Sequence, residues 1–233
     1  MNAAGVGADV TVLGEQGPDS FIWWAWVADH TDDIRERALQ HLALTSMAIG
    51  IGLVLSVVLS VIALRFRATM APITWGAGIL YAIPSLALFG FLVPITGASV
   101  LTAEIALVSY CLLILIQNLV AGVDGVPDSV RDAADGMGYT ATRRFLRVEL
   151  PLALPEIITG LRVATVTVIG LVTVTALIGH GGFGAFINDG LDRNFSTPIV
   201  VGIVGSIALA LLADLLFVLI QHALTPWTRR GRG

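Results

Sequence analysis

LALTSMAIGIGLVLSVVLSVIAL, residues 42–64, runs for 23 positions without a charge. A spanning helix needs about 20 mostly apolar residues to cross a hydrocarbon core of roughly 30 Å, and this run suffices on its own. Working outward, four further segments pass the same test: residues 71–93, 100–120, 163–178 with a start reaching back to Ile157, and 199–220. Phe21 to Val27 is too short to span, and its Trp23, Trp24 and Trp26 suit a membrane interface. The pattern predicts an all-α, polytopic membrane protein of one domain, with about five transmembrane helices and no sixth.

Composition points the same way. Of 233 residues, 56% are hydrophobic and 13% charged, about half the charged share of a soluble domain. All 13 basic residues are arginine. A P-loop needs a lysine on the β- and γ-phosphates, so this chain has no Walker A motif, and any ATP driving it is hydrolysed by another polypeptide. Cys111 is the one cysteine, which excludes an intrachain disulfide. His30, His41, His180 and His222 lack metal-ligand spacing and read as scattered surface or interfacial groups. The first basic residue is Arg35, so the positive n-region of a signal peptide is missing.

The arginines set an orientation. Arg65 and Arg67 lie between spans one and two, Arg131, Arg143, Arg144, Arg147 and Arg162 in or beside the loop between spans three and four, and Arg229, Arg230 and Arg232 in the tail. With five spans and the N-terminus outside, these 10 of 13 arginines face the cytoplasm, leaving Arg35, Arg37 and Arg193 outside. The expected divisions are an extracytoplasmic tail over 1–41, a membrane domain over 42–223 and a cytoplasmic basic tail over 224–233. The leader is acidic (Asp9, Glu15, Asp19, Asp29, Asp32, Asp33). Asp33 with Glu36 resembles a capping box, and Ile34, Ala38 and Leu42 recur every fourth residue, which predicts an outer amphipathic helix running into span one.

Residues 122–151, GVDGVPDSVRDAADGMGYTATRRFLRVELP, form the one substantial cytoplasmic loop, and it is patterned as two short helices. Pro127 and Asp128 suit a helix start, and Val130, Ala133, Ala134 and Met137 draw a narrow apolar face. Gly138 sits where a helix stops in the left-handed conformation, Thr140 can cap a second helix, and Leu150-Pro151 is expected to end it. Small residues rimmed by arginine fit either docking on a partner protein or lying on an anionic inner leaflet.

Asp132-Ala133-Ala134, then Gly138, then Val148, Leu150 and Pro151 resemble, at every spacing, the EAA motif of ABC-importer permeases. Asp132 stands for the usual Glu and Val148 for Ile. The resemblance implies that Asp132 to Gly138 belong to a coupling helix docking in a cleft of a separate ATPase, and it implies a type I importer permease (MetI-like) architecture. Residues 83–90 (IPSLALFG), 149–155 (ELPLALP) and 178–184 (IGHGGFG) are similar to the branch importing osmoprotectants such as glycine betaine, choline and carnitine. His180 and Phe183 depart from the small or aliphatic residues usual there. The further partners implied are an extracytoplasmic solute-binding protein and a second permease subunit, identical or similar, in a bacterial inner membrane.

Several membrane residues stand out. Pro84, with Ser85 after it, interrupts span two and marks either a packing kink or a pathway-lining break. Asp214 lies deep in span five, as a gate residue or as a paired or protonated carboxylate at a helix interface. Arg162 is expected to snorkel toward the cytoplasmic surface. Glu104 is placed near the outer end of span three within reach of solvent, and Gln117 and Asn118 read as packing groups. A turn over 180–184, after span four, is expected to lead into a short re-entrant or surface helix from Ala185 to Leu191. No catalytic, metal or cofactor constellation is present, and nothing points to nucleic acid. An ion-gradient transporter is the rival class, yet only Asp214 and Glu104 offer intramembrane ligands and no repeat is evident.

Overall fold

The computed structural model describes residues 21–229. Asp9, Glu15, Asp19, Arg230 and Arg232 lie outside the described residues. Ten α-helices follow in chain order: α1 Trp24–Asp29, α2 Thr31–Arg65, α3 Met70–Ala82, α4 Ser85–Thr96, α5 Val100–Asp124, α6 Asp128–Gly136, α7 Ala141–Arg144, α8 Leu150–Val172, α9 Gly184–Asp192 and α10 Ser196–Leu224. A π-helical turn, Phe145–Glu149, joins α7 to α8.

Helix direction follows from side-chain contacts. Along α2 and α5, Cys111 Sγ lies 3.9 Å from the Ala48 carbonyl, and at the far ends Arg67 meets Asp124 at 2.6 Å, so the two run parallel. Parallel neighbours oblige the chain between them to recross the bilayer. The pair α3–α4 is therefore one span, although it bends by 94° at the break. With the 4 long apolar helices this makes five spans among the described residues. Proline explains the break: Pro84 has no N–H and holds Ile83 extended at φ −67°, ψ 126°. The Ile83 carbonyl, released from the helix, accepts a hydrogen bond from the Tyr110 hydroxyl on α5.

Lipid chains are as apolar as leucine, so helices in a bilayer associate through close packing rather than hydrophobic exclusion. The centre is built accordingly: Ala48, Ala164 and Cys111 are fully buried where α2, α5 and α8 meet, interleaved with Leu107, Leu115 and Val168. α8 runs antiparallel to α5, and Gly160 is required there, because a Cβ would stand 2.4 Å from that of Asn118. α10 runs antiparallel to α8, where Gln221 donates to the Pro155 carbonyl at 3.0 Å. The C-terminal ends of α2, α5 and α10 and the start of α8 thus share one face, which carries α6 and α7.

Four expectations need correction. The capping box does not form: α2 begins at Thr31 with no side-chain cap, leaving Asp32 and Asp33 in its first turn. His41 is fully buried rather than interfacial, its Nε2 3.0 Å from the Ile169 carbonyl and its Nδ1 accepting from Phe183 N–H at 3.4 Å. Accepting at Nδ1 leaves the proton on Nε2, which donates to Ile169. Span four starts at Leu150, and Leu150-Pro151 opens that helix instead of ending the previous one. Proline is tolerated there because the π turn, in which Leu150 N–H bonds the Phe145 carbonyl, shifts the register just before it. Glu104 is buried, not solvent-reached, and neither carboxylate oxygen has a partner among the described residues.

At the opposite face, Ile34 and Ala38 pack against Trp26, Phe183 and Phe186, anchoring α1 and the start of α2 to α9. Trp26 stacks on His30 at 4.1 Å and meets Phe186 edge-on at 5.8 Å. Of the three tryptophans, only Trp24 is widely exposed, as an interfacial residue would be.

Candidate coupling site and membrane ion pair

The 122–151 loop is an ordered unit. Pro127 is the N-cap of α6, and Asp128 sits in its first turn, where a negative charge complements the helix dipole. Gly138, at φ +78°, ends the unit in the left-handed region that favours glycine, one residue beyond the Met137 cap. Thr140 then caps α7, its Oγ1 accepting from Arg143 N–H at 3.4 Å. The apolar face divides in two. Ala134 is 1% exposed and packs inward, whereas Asp132, Ala133 and Met137 face solvent. Of the motif residues, Asp132, Ala133 and Gly138 therefore make up the outward surface, while Ala134 anchors α6 to its own chain and Leu150 and Pro151 begin α8.

An ion network beneath α6 was not legible in the sequence. Glu149 is buried and accepts from Arg144 Nε at 2.7 Å, with Arg131 Nε at 3.9 Å. Arg131 also reaches Asp128 at 2.9 Å and donates to the Val123 carbonyl at 2.7 Å, and Arg144 also pairs with Asp135. One carboxylate thereby ties α6, α7 and the start of α8 to the end of α5. Alongside, Arg67 makes a two-pronged contact with Asp124 at 2.6 and 2.8 Å. The Asp124 carboxylate holds the Arg67 guanidinium above its usual range. Arg65, Arg67, Arg131 and Arg144 line a cleft of about 700 Å³ at this face. The available signal was the one acidic residue, Glu149, in the arginine-rich stretch 143–150.

Within the membrane region, Arg162 on α8 pairs with Asp214 on α10, Nε to Oδ1 at 2.9 Å and Nη2 to Oδ2 at 3.1 Å. The partner of Asp214 lies on another helix, which sequence spacing could not show. Arg162 does not snorkel; the carboxylate holds it. The two side chains remain 29% and 40% exposed. Pro84 is exposed and Ser85 half-buried at the α3–α4 break, and nothing joins them directly to Asp214. Asn118 donates to Ile114 of its own helix at 2.8 Å and fills the space left by Gly160. Among the described residues no group of three or more His, Cys, Asp or Glu could hold a metal.

Comparison with known proteins fits this geometry. Residues 48–230 match the family described as binding-protein-dependent transport system inner membrane component. The chain is 33% identical over 206 residues to the osmoprotectant import permease protein OsmW of Salmonella typhimurium, covering 86% of this chain and 96% of that protein. It is 31% identical over 190 residues to the choline transport system permease protein OpuBB of Bacillus subtilis, covering 82% and 88%. Its fold is similar to a chain of the MetNI methionine ABC transporter in an inward-facing conformation, with a TM-score of 0.69 at 20% identity over 80% of this chain and 94% of that one.

Proposed function

Because the chain belongs to the family of binding-protein-dependent transport system inner membrane components, we propose that it forms the pathway for quaternary-amine osmoprotectants such as glycine betaine, choline and carnitine, and that α6 is its docking element for the ATPase. Membership makes the chain a permease subunit of an ABC importer in a bacterial inner membrane, with ATP hydrolysis on a separate subunit and a solute-binding protein as partner. The substrate class rests on what the relatives are named for, osmoprotectants and choline.

The observation that carries the docking role is the outward surface of Asp132, Ala133 and Met137, held rigid from below by Glu149. A helix clamped to α5 and α8 passes a push from a partner directly to the spans. The arginine-rich face is the cytoplasmic one, which gives an N-terminus outside and a C-terminus inside. A second permease chain, identical or similar, completes the pathway; the unburied spanning part of α10 and the open rim of the Arg162–Asp214 pair support this. Pro84 and Ser85 at the break of span two, together with Asp214, line that pathway and its gate.

The test is uptake into proteoliposomes holding the chain, its ATPase and its binding protein. ATP-dependent accumulation of at least one of the three solutes, competed by the others and unaffected by a protonophore, is expected. Accumulation of none, or uptake driven by an ion gradient without ATP, contradicts the reading.

A further inference from the structure

We infer that Arg162 and Asp214 form a contact site, exposed to the translocation pathway, for a solute carrying both a positive and a negative group. This rests on the osmoprotectant reading for the identity of the solute but not for the position of the site. Arg162 lies 12 residues into α8 and Asp214 lies 10 residues before the end of α10. At about 1.5 Å per residue both stand roughly 15–18 Å from the loop face. They lie roughly 9 Å beyond the exposed Glu156 and the end of the apolar run at residue 220, within the inner half of a hydrocarbon core of about 30 Å.

Lipid cannot solvate charged groups at that depth, so ionisable residues there turn toward the bundle interior or a water-filled cavity. A pair serving only to hold α8 to α10 would be enclosed between them. Here the two side chains bond at 2.9 and 3.1 Å and still keep 29% and 40% of their surface open. The same seam already has an uncharged tie, from Gln221 to the Pro155 carbonyl. If a second permease chain completes the pathway, as proposed, the open rim is the part of the pair left to face that pathway.

Chemistry then selects the solute. The bidentate contact uses two of the five guanidinium N–H groups and leaves lone pairs free on the carboxylate. A solute carboxylate can reach the remaining Arg162 donors while its quaternary ammonium, which has no N–H, settles by charge beside Asp214. The paired site is neutral overall, so a neutral zwitterion meets both poles. A simple cation meets Asp214 favourably and Arg162 unfavourably.

The experiment uses the assembled transporter in proteoliposomes. In a Cys111→Ala background, Val166→Cys puts a thiol one turn along α8 from Arg162, at a position 39% exposed. A charged, impermeant thiol reagent should label it, and saturating glycine betaine should slow the labelling. Absence of labelling means that lipid or a second permease chain covers the rim, and the inference fails. Arg162→Gln should lower glycine betaine uptake by about tenfold or more and choline uptake by less than about threefold, as loss of a charge-assisted contact implies. Equal losses for the two solutes overturn the zwitterion assignment. The exchange Arg162→Asp with Asp214→Arg keeps the pair and should restore thermal stability without restoring glycine betaine uptake. Full recovery of uptake would make the pair a structural tie only. A wild-type transporter moving neither solute sinks the osmoprotectant reading instead. The labelling arm, with zwitterionic amino acids as protecting probes, then decides the site.

Discussion

Ala133 and Ala134 are adjacent in sequence and opposite in environment: one faces solvent and the other is 1% exposed. A charge on each therefore acts on a different step. Ala134→Asp forces a carboxylate into a buried position and beside the Glu149 network, a cost of several kcal/mol if it stays ionised and unpaired. We expect a lower melting temperature in detergent and a loosened loop. Ala133→Asp puts the same charge on an exposed position, so thermal stability should stay within about 0.5 kcal/mol of the parent. ATPase co-purification should nevertheless fall sharply. A normal ATPase yield with Ala133→Asp, or unchanged stability with Ala134→Asp, would reverse the two assignments. The motif is legible in the sequence, but there both alanines belong to one apolar stripe. The 3.6-residue period gives a stripe about 100° wide and does not say which edge of that stripe faces the parent chain.

Among the elements, the α3–α4 break shows most directly what a sequence announces and what it leaves out. Pro84 announces the interruption through its missing N–H, but the 94° bend depends on Tyr110, 26 residues downstream, which bonds the freed Ile83 carbonyl. Tyr110→Phe keeps the ring and removes that donor. We expect a loss of about 0.5–1.5 kcal/mol, the usual net worth of one hydrogen bond, since the contact is only part-buried. It should be read as a lower melting temperature, while Tyr81→Phe, the neighbouring ring at 6.1 Å, leaves it unchanged. No difference between the two would mean that the bend does not rely on Tyr110. Elements set by continuous apolar runs were legible: α5 and α10 begin within three residues of their expected starts. The start of span four was not, because Pro151 reads as a stop unless the π turn before it is known. The Glu149 network and the Arg162–Asp214 pair were equally hidden, since each joins residues brought together only by helix packing.

Taken whole, the molecule gathers the ends of α2, α5 and α10 and the coupling loop on one face, where most of its arginines lie. Single cysteines at Gly14 and Gly231 in the Cys111→Ala background should therefore label from opposite sides with an impermeant reagent. Labelling of both from one side would exclude five spans. On the proposed reading the importer works as a mechanical chain: an ATPase closes, α6 moves, and a loop tied by Glu149 to the spans moves with it. On this reading α6 touches the ATPase through its outward surface, and cysteine crosslinking in the assembled transporter measures that contact directly. With a short bifunctional reagent, Ala133→Cys and Met137→Cys should each crosslink to the ATPase, with a yield that changes on ATP binding. Leu101→Cys, exposed at the other end of α5, should not. Crosslinking at neither 133 nor 137 in a complex that still hydrolyses ATP in response to its solute would contradict the account.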